Sequence, residues 1–567
     1  MRWACVTAVA VLAFDASALA QPRTPVAPSE VTPRSLRPEA PPAPPPIVNL
    51  EASLPAQAPA GAENLHLTLA HVVVDDGYPD LASAAGRVFA PVEGRQVSVA
   101  DLYGAARRLE QAYADAGYFL ARVVVPKQAL ADGGDFHVQV IDGFIETVDD
   151  DAVPAKLKAP VRALMGGLAG RRRLKLAELN RRLQAAGQLP GGQIRSTIAQ
   201  GETPGGARLI LDGGFTPYGV NLGADNLLGP SFDDWGLNLQ LTANSPTGHG
   251  EQIYVFLSGS PHLDHAFRQD ALRRVGGGGV SVPIGGGGLI FNPEFTISDT
   301  HPRSANPILG SHGRLYRGTL NWLFPAPYID GATAKVTTEL VDERQTLPAF
   351  GIALSHDRLT VVRADLAWNG SWLDNGITVE GTASKGVSAF GARSVSANLT
   401  SEPNSRGSDP GFTKFEGQLG ISRSLPGQAV LNLTLRGQTA FGGVLPSSEL
   451  FDLTGLDSLS SFPAGALSTD AGVSVRAQVE RSWIGNVGAF AFGATPYLFL
   501  AAGEGLPTAP DHFAPQKLTD YGVGLRIAGR GFPLGGRPTF SVEYGHGQPD
   551  RGKPPNNRIY ASLGIAF

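Results

Sequence analysis

The sequence predicts a mainly β chain in which two small α+β domains precede a C-terminal transmembrane β-barrel of about 16 strands. Three observations predict it. From about residue 215 onward, segments of about ten residues alternate apolar and polar positions between Gly, Pro, Asp, Asn and Ser. Such strands suit lipid on one face and a wet lumen on the other. The N-terminus reads as an export signal, yet no other apolar run is long enough for a spanning helix. An exported chain of this kind can still enter a membrane as a closed barrel. Upstream of the alternation, two units repeat a β-α-α-β-β order, which points to a modular array rather than one core.

Residues 1–20 carry the expected signal peptide. Arg2 supplies the positive charge, Trp3 to Phe14 the apolar stretch, and Ala18-Leu19-Ala20 the small-residue cleavage site. Cleavage there would remove Cys5, the one cysteine of the sequence. A single cysteine excludes a disulfide scaffold and a Cys-based zinc cluster. Residues 21–62 read as a Pro-rich linker, with Pro41-Pro42 and Pro44-Pro45-Pro46 at its centre. Proline fixes φ and lacks an N–H, so an extended, semi-rigid spacer is expected.

Residues 63–145 form the first unit. Leu65, Leu67 and Leu69 alternate, Val72-Val73-Val74 follows, and Ser98 with Asp101 makes a capping-box start for a helix. Leu102, Ala105, Ala106, Leu109 and Tyr113 recur at helical spacing until Gly117. Tyr118 to Val125 and Asp135 to Ile141 read as strands. Residues 146–214 repeat the order more weakly. Helical pattern covers Val161–Leu168 and Leu174–Leu183, and strand pattern covers Gln193–Ala199 and Ala207–Leu211. The Arg171-Arg172-Arg173 run reads most simply as a solvated helix end, the alternative being a face toward an acidic partner or the membrane rim. Residues 215–567, at roughly 20–22 residues per strand with its loop, hold about 16 strands. Leu431, Leu433 and Leu435 alternate with Asn432, Thr434 and Arg436. Val473, Val475 and Val479 alternate with Ser474, Arg476 and Glu480. A soluble sandwich or propeller is the alternative for such strands.

Composition fits this reading. Glycine is 71 of 567 residues, well above the usual ~7%, and charged residues are 17% against a usual ~25%. A net charge of −5 argues against a nucleic-acid partner. No G-x-S-x-G elbow occurs, and the glycine runs at 276–279 and 285–288 lack the Lys-Ser/Thr of a phosphate loop. Those runs read as turn or lumen-facing glycines flanking a strand. His262 and His265 lack a third ligand. Neither an enzyme, a cofactor nor a metal is expected.

In this order of parts the chain resembles the outer-membrane transporters of two-partner secretion, the TpsB or hemolysin secretion/activation proteins. They belong to the wider superfamily of POTRA-bearing outer-membrane barrels. Tyr113-Ala114-Asp115-Ala116-Gly117-Tyr118, Ala121-Arg122-Val123, Pro126, Gln128, Gly133 and Asp142-Gly143-Phe144-Ile145 are similar to that family's first POTRA domain. Asp225-Asn226 and Val280-Ser281-Val282-Pro283-Ile284-Gly285 resemble barrel motifs. Phe567 is similar to the signal read by the barrel-assembly machinery.

The resemblance breaks at two places, the more informative being a loop tip. The family carries a V-R-G-Y/F tetrad at the tip of a loop folded into the barrel. Here the matching residues are Leu459-Ser460-Ser461-Phe462, framed by Glu449, Leu453, Gly455, Asp470 and Gly472. In the family that arginine pairs with an aspartate of an F-x-D-x-G strand motif. The matching stretch is Phe499-Leu500-Ala501-Ala502-Gly503, so Ala501 stands at the aspartate position. Both halves of the pair are absent together. Losing both charges can be near neutral, where losing one costs about 3–5 kcal/mol. Ser460 and Ala501 therefore read as a paired replacement, with the loop held by Phe462 packing and backbone contacts. Some relatives plug the pore with an N-terminal helix, and residues 21–61 are too proline-rich to predict one.

The resemblance implies export of one partner protein, hemolysin- or adhesin-like, across the outer membrane. It places the POTRA domains in the periplasm and implies that partner folding outside supplies the drive. A POTRA domain would capture the unfolded partner by strand addition. Arg436, Gln438, Arg476 and Glu480 are expected to line the lumen. The alternatives are an assembly factor of the same superfamily, against which two POTRA units argue, and a diffusion porin.

Overall fold

The computed structural model describes residues 26–38, 47–48 and 58–567, apart from 234, 261–267, 269–270, 305–307, 309, 327–328, 330–331, 394–401, 489, 509–514, 532–534 and 551–552. The expected export signal, Cys5, and the His262 and His265 pair lie outside the described residues. No described helix is long and apolar enough to cross a membrane.

In the first unit, helix Val99–Asp115 begins at the expected cap. Ser98 Oγ accepts the Asp101 N–H at 3.1 Å, and the Asp101 carboxylate accepts the Ser98 N–H at 3.1 Å. The predicted helix face is buried and packs on a sheet of Val72–Asp75, Phe136–Ile141 and Arg122–Val124. The strand expected over Tyr118–Val125 is shorter, Arg122–Val124. Tyr118 instead turns inward, its ring edge-on to Tyr78 at 4.9 Å.

The second unit packs helices Ala155–Met165 and Leu176–Gly187 against strands Phe144–Ala152, Gly206–Phe215 and Gly192–Gln200. The arginine run is not a solvated helix end. It lies before helix Leu176–Gly187 and clasps the first unit. Arg172 donates to the Asp142 carbonyl at 3.0 Å, and the Arg173 N–H to the Asp142 carboxylate at 3.1 Å. Arg173 stacks over Tyr78 and Lys175 over Tyr118. Burial, then the bond to Asp142, pushes the Tyr78 hydroxyl far above its ordinary pKa. These residues hold the two units together as one arm.

From Tyr218 to Ala566 the chain forms a closed antiparallel barrel with successive strands as neighbours. Ala471–Arg481 and Trp483–Val487 both pair with Phe490–Leu506 and make one crossing, so the barrel has 16 strands. Its polarity is inverted relative to a soluble sheet. Leu222, Val255, Phe295, Leu340 and Leu500 are exposed on the outside, while Arg317, Glu339, Arg363, Lys414 and Glu543 are buried inside. Only a lipid exterior makes that arrangement favourable.

The barrel closes at a short seam. Asn221–Asp225 pairs with Ser562–Ala566 over five residues, and Phe567 adds a rung to Val220 through its own N–H and carbonyl. Beyond Asp225 the first strand ends, and the Asn226 side chain takes over. Its amide donates to the Ile559 carbonyl at 2.9 Å and accepts the Ala561 N–H at 2.8 Å. The Asp225-Asn226 motif thus extends the seam with a side chain.

The N-terminal segment departs most from expectation. Residues 26–38 are not a free spacer but lie inside the barrel. Pro28–Val31 forms a 3-10 turn, with Pro28, Ser29 and Val31 buried. Pro28 suits the first position of such a turn, because its fixed φ is already correct and no N–H is needed there. Two wall glycines make room. A Cβ on Gly313 would meet Pro28 Cγ at 2.5 Å, and one on Gly277 would meet Leu36 Cδ1 at 2.5 Å. The 276–279 glycines therefore lie within strand Arg273–Ile284, whereas Gly285 and Gly288 form a turn with positive φ.

Candidate functional site in the barrel lumen

Two pieces of chain fill the lumen: residues 26–38 and the loop between strands Ala429–Thr439 and Ala471–Arg481. Both are held by buried polar groups of the wall. Ser29 donates its N–H and its hydroxyl to Glu343 at 2.8 and 2.9 Å. The Leu36 N–H donates to Glu294 at 2.9 Å. Arg273 donates to the Val31 carbonyl and Arg317 to the Pro33 carbonyl, each at 2.9 Å.

One ion network joins wall, loop and segment. Arg363 bridges Glu339 and Glu449, each at 2.6 Å. Arg317 pairs with Glu339 at 2.9 Å, and Lys414 with Glu449 at 3.1 Å. Arg34, from the N-terminal segment, lies 3.8 Å from Glu416 and donates to the Ser448 carbonyl at 3.2 Å. Arg317, Glu339, Arg363, Lys414 and Glu449 are all buried. A buried charge persists only when paired, and here each cation has a carboxylate.

The loop doubles back as a short hairpin, Phe451–Asp452 against Ser468–Thr469. Its base is tied by Glu449 and by Asp470, which Arg406 grips in a two-pronged pair at 2.7 and 2.8 Å. Its tip is Leu459-Ser460-Ser461-Phe462. Asp520 accepts the Ser461 N–H at 2.9 Å and also its hydroxyl. Arg476 donates to the Ser458 carbonyl at 3.2 Å and to Ser460 Oγ at 3.1 Å. It also pairs with Glu543 at 2.7 Å and lies 3.8 Å over the Phe499 ring. Phe462 packs with Phe451, Leu453, Leu459, Ala501 and Leu518. A Cβ on Gly547 would meet the Phe462 ring at 2.5 Å, so glycine admits it.

The sequence profile of the haemolysin secretion/activation proteins ShlB/FhaC/HecB matches residues 213–527, more than half of the chain. The ShlB-type POTRA domain matches residues 69–143. The chain belongs to this family. Its members are the outer-membrane transporters of two-partner secretion. The fold agrees with two solved structures. It is similar to CdiB from Escherichia coli at 20% identity and TM-score 0.72, over 91% of this chain and 94% of that one. CdiB from Acinetobacter baumannii is similar at 16% identity and TM-score 0.61, over 89% and 90%. No curated sequence matches.

A charged clasp of wall residues lies under the loop tip. In register, Arg476 stands opposite Ala501, Ala501 opposite Asp520, and Asp520 opposite Gly547. Ala501 thus sits between an arginine and an aspartate that both come from the wall. The tip brings hydroxyls and backbone instead of an arginine. Phe499 and Gly503 face the loop too, the first through Arg476 and the second against Leu453 and Leu459. Side chains add to the Phe462 packing and backbone contacts read from the sequence.

Of the residues expected to line the lumen, Gln438 is buried beneath the loop and donates to the Glu449 and Asp470 carbonyls. Arg476 belongs to the clasp. Arg436 lies over Phe451 of the loop at 5.5 Å, and Glu480 pairs with Arg526. The Phe567 backbone closes the seam. Among the described residues, no group of three or more His, Cys, Asp or Glu is placed to hold a metal.

The serine tip makes a charge test available. Ser460→Arg sets a second guanidinium beside Arg476 and is expected to cut export about tenfold or more, at ~1.4 kcal/mol per factor of ten. Adding Ala501→Asp, in register between Arg476 and Asp520, should restore most of it. Equal export from the single and double variants would show that positions 460 and 501 do not interact.

Proposed function

We propose that this transporter carries one large hemolysin- or adhesin-like partner from the periplasm through its own lumen to the cell exterior. The carrying observation is that chain segments, not a solid wall core, fill the barrel. Residues 26–38 and the folded loop occupy a lumen otherwise lined by polar and charged side chains. Chain can leave a path that side chains of a packed core cannot.

The first unit, in the periplasm, captures the unfolded partner. A groove of about 300 Å³ lies between strand Val72–Asp75 and helix Ala82–Phe89, lined by Val72, Val74, Leu81, Ala85 and Phe89 with Glu93 at its edge. It suits apolar side chains of an extended chain. The barrel-assembly machinery inserts the chain, reading Phe567. The partner folds outside, and that folding drives export.

Co-expression with a candidate large exported partner, followed by assay of the medium, tests the reading. Deletion of residues 63–142 is expected to abolish the secreted signal while heat-modifiable gel mobility, a property of a folded barrel, persists. A partner that still reaches the medium would remove the capture role from the first unit.

A further inference from the structure

The outer face of the barrel carries charges that the passage of a chain through the lumen does not need. The turns at 245–251 and 285–288 meet the second unit. Ser245 donates to the Lys156 carbonyl at 2.8 Å, and a Cβ on Gly286 would meet the Ala163 carbonyl at 2.3 Å. Strands Arg273–Ile284, Leu289–Thr300, His312–Pro325, Ala332–Leu347 and Ile352–Trp372 thus each have one end beside the small units and one end away from them. At the far end Arg273, Leu315, Glu343 and Asp357 are buried inside. Alternation along a strand therefore turns Arg274, Arg314, Arg344 and Arg358 toward the lipid side.

These arginines outnumber the acids among them. Asp299 pairs with Arg274 at 3.0 Å and with Arg314 at 2.9 Å. Glu402 pairs with Arg344 and, at 2.8 Å, with His356, while Asp342 pairs with Arg358 at 3.4 Å. Arg393 donates to the Glu402 carbonyl. Three carboxylates are set among five arginines. Arg314 and Arg344 also stand directly opposite each other in register, and like charges so placed repel. Both side chains are half-exposed. An anion placed between them relieves that repulsion.

Just below the arginines the wall is apolar and hollowed. Tyr316 follows Arg314 on the outer face, and Trp322 packs on Phe291 at 4.5 Å further down the same strand. Six residues separate the two aromatics, a rise of roughly 20 Å, and such residues mark the edges of a lipid belt. The arginines lie one outward step beyond Tyr316, at headgroup level. Within the belt a groove of about 480 Å³ is lined by Gly278, Pro293, Gly318, Leu320, Leu340 and Phe390. A Cβ on Gly318 would meet nothing, so the hollow exists because side chains are missing. Phe390 comes from a turn pinned to the outer wall. Thr360 donates its hydroxyl to the Ala389 carbonyl at 2.7 Å, and the Arg393 N–H donates to the Arg358 carbonyl at 2.9 Å. Its φ of 46° is rare for an aromatic residue, and its ring is 79% exposed. In lipid, unlike water, such a ring is at no disadvantage.

We propose that this face is a binding site for a phosphorylated glycolipid of the membrane's outer leaflet. Its phosphates sit among Arg274, Arg314, Arg344 and Arg358, and its acyl chains fill the groove beneath, held by Phe390. Guanidinium forks match phosphate oxygens in pairs. The four arginines span four strand spacings, roughly 19 Å, a width suited to a head with two phosphates rather than one. At that end of the opposite wall Lys517 instead pairs with Glu504 at 3.9 Å, with no surplus. Only the choice of leaflet rests on the periplasmic placement of the small units.

The test uses the full-length protein, stripped of lipid in detergent. It is mixed with diphosphoryl lipid A, with the same lipid after removal of its phosphates, or with inorganic phosphate, and bound lipid is counted by native mass spectrometry. The diphosphorylated lipid is expected to bind about tenfold more tightly than the dephosphorylated one. Arg314→Gln with Arg344→Gln should erase that difference, whereas Lys517→Gln should keep it. Phe390→Ala should weaken both lipids alike, because it removes chain contact and no charge. Heat-modifiable mobility checks that each variant is a folded barrel. Equal binding of the two lipids to the wild type, or an undiminished preference in the double arginine variant, overturns the proposal. So does displacement of the lipid by inorganic phosphate, which would make the patch a site for a free ion. Binding in detergent does not depend on export, so a negative result here leaves the transport function standing.

Discussion

Replacing Glu449 with alanine is expected to destabilise the transporter by about 3–5 kcal/mol. Glu449 is fully buried and neutralises both Arg363 and Lys414. Its removal leaves Arg363 to share Glu339 with Arg317, and Lys414 with only the more distant Glu416 at 3.7 Å. The loop base loses one of its two ties at the same time, keeping the Arg406–Asp470 pair. Denaturation midpoints of the purified barrel, with protease access to the loop, measure both effects. Arg34→Ala offers the contrast. Its side chain is 43% exposed and its carboxylate partner lies at 3.8 Å, so a change within about 1 kcal/mol is expected. Equal losses from the two variants would mean that burial does not set the strength of this network.

Replacing Asp520 with alanine is expected to free the loop tip while the base stays anchored. The Ser461 N–H and hydroxyl lose their acceptor in a buried place, a cost of about 1–3 kcal/mol. Glu449 and Asp470 still hold the base, so the barrel should fold and export should fall. Arg476→Ala should cost more. It strips the Ser458 and Ser460 bonds, uncovers Phe499 and leaves Glu543 with only the Tyr497 hydroxyl. Arg476→Lys should not rescue it, because one ammonium cannot reach in the directions that the planar fork serves together. Secreted partner per folded transporter is the measurement. Full export from Arg476→Ala would remove the clasp from the transport cycle.

The fold was largely legible because its signals are local. Alternation such as Leu431–Arg436 reports one lipid face and one wet face whatever the neighbours do. Ser98 with Asp101 announces a helix start within four residues. What local pattern could not report was where a segment without periodicity would go. Residues 26–38 look like a spacer because prolines mask any repeat, yet Ser29, Leu36 and the carbonyls of Val31 and Pro33 meet partners from distant strands. The arginine run has the same character, since Asp142 is what makes it an interface.

The loop tip divides similarly. Its position could be read from the frame around Leu459-Ser460-Ser461-Phe462. The clasp could not, because Arg476 and Asp520 meet the tip only through register. One signal was present. Leu518, Asp520 and Gly522 show, on the next strand, an apolar-x-acid-x-glycine spacing, where Phe499, Ala501 and Gly503 have alanine in place of the acid.

The seam sets an order in time. Every other rung of the cylinder joins strands that follow each other in the chain, so each forms as soon as two neighbours meet. At the seam Asn226 must find Ile559, 333 positions away. That search carries the largest loop-closure entropy in the barrel and waits for all 16 strands. Until then the protein is a curled ribbon with two raw edges, each able to pair with a stranger. Five rungs, the Phe567 backbone and one asparagine amide decide how briefly that ribbon exists.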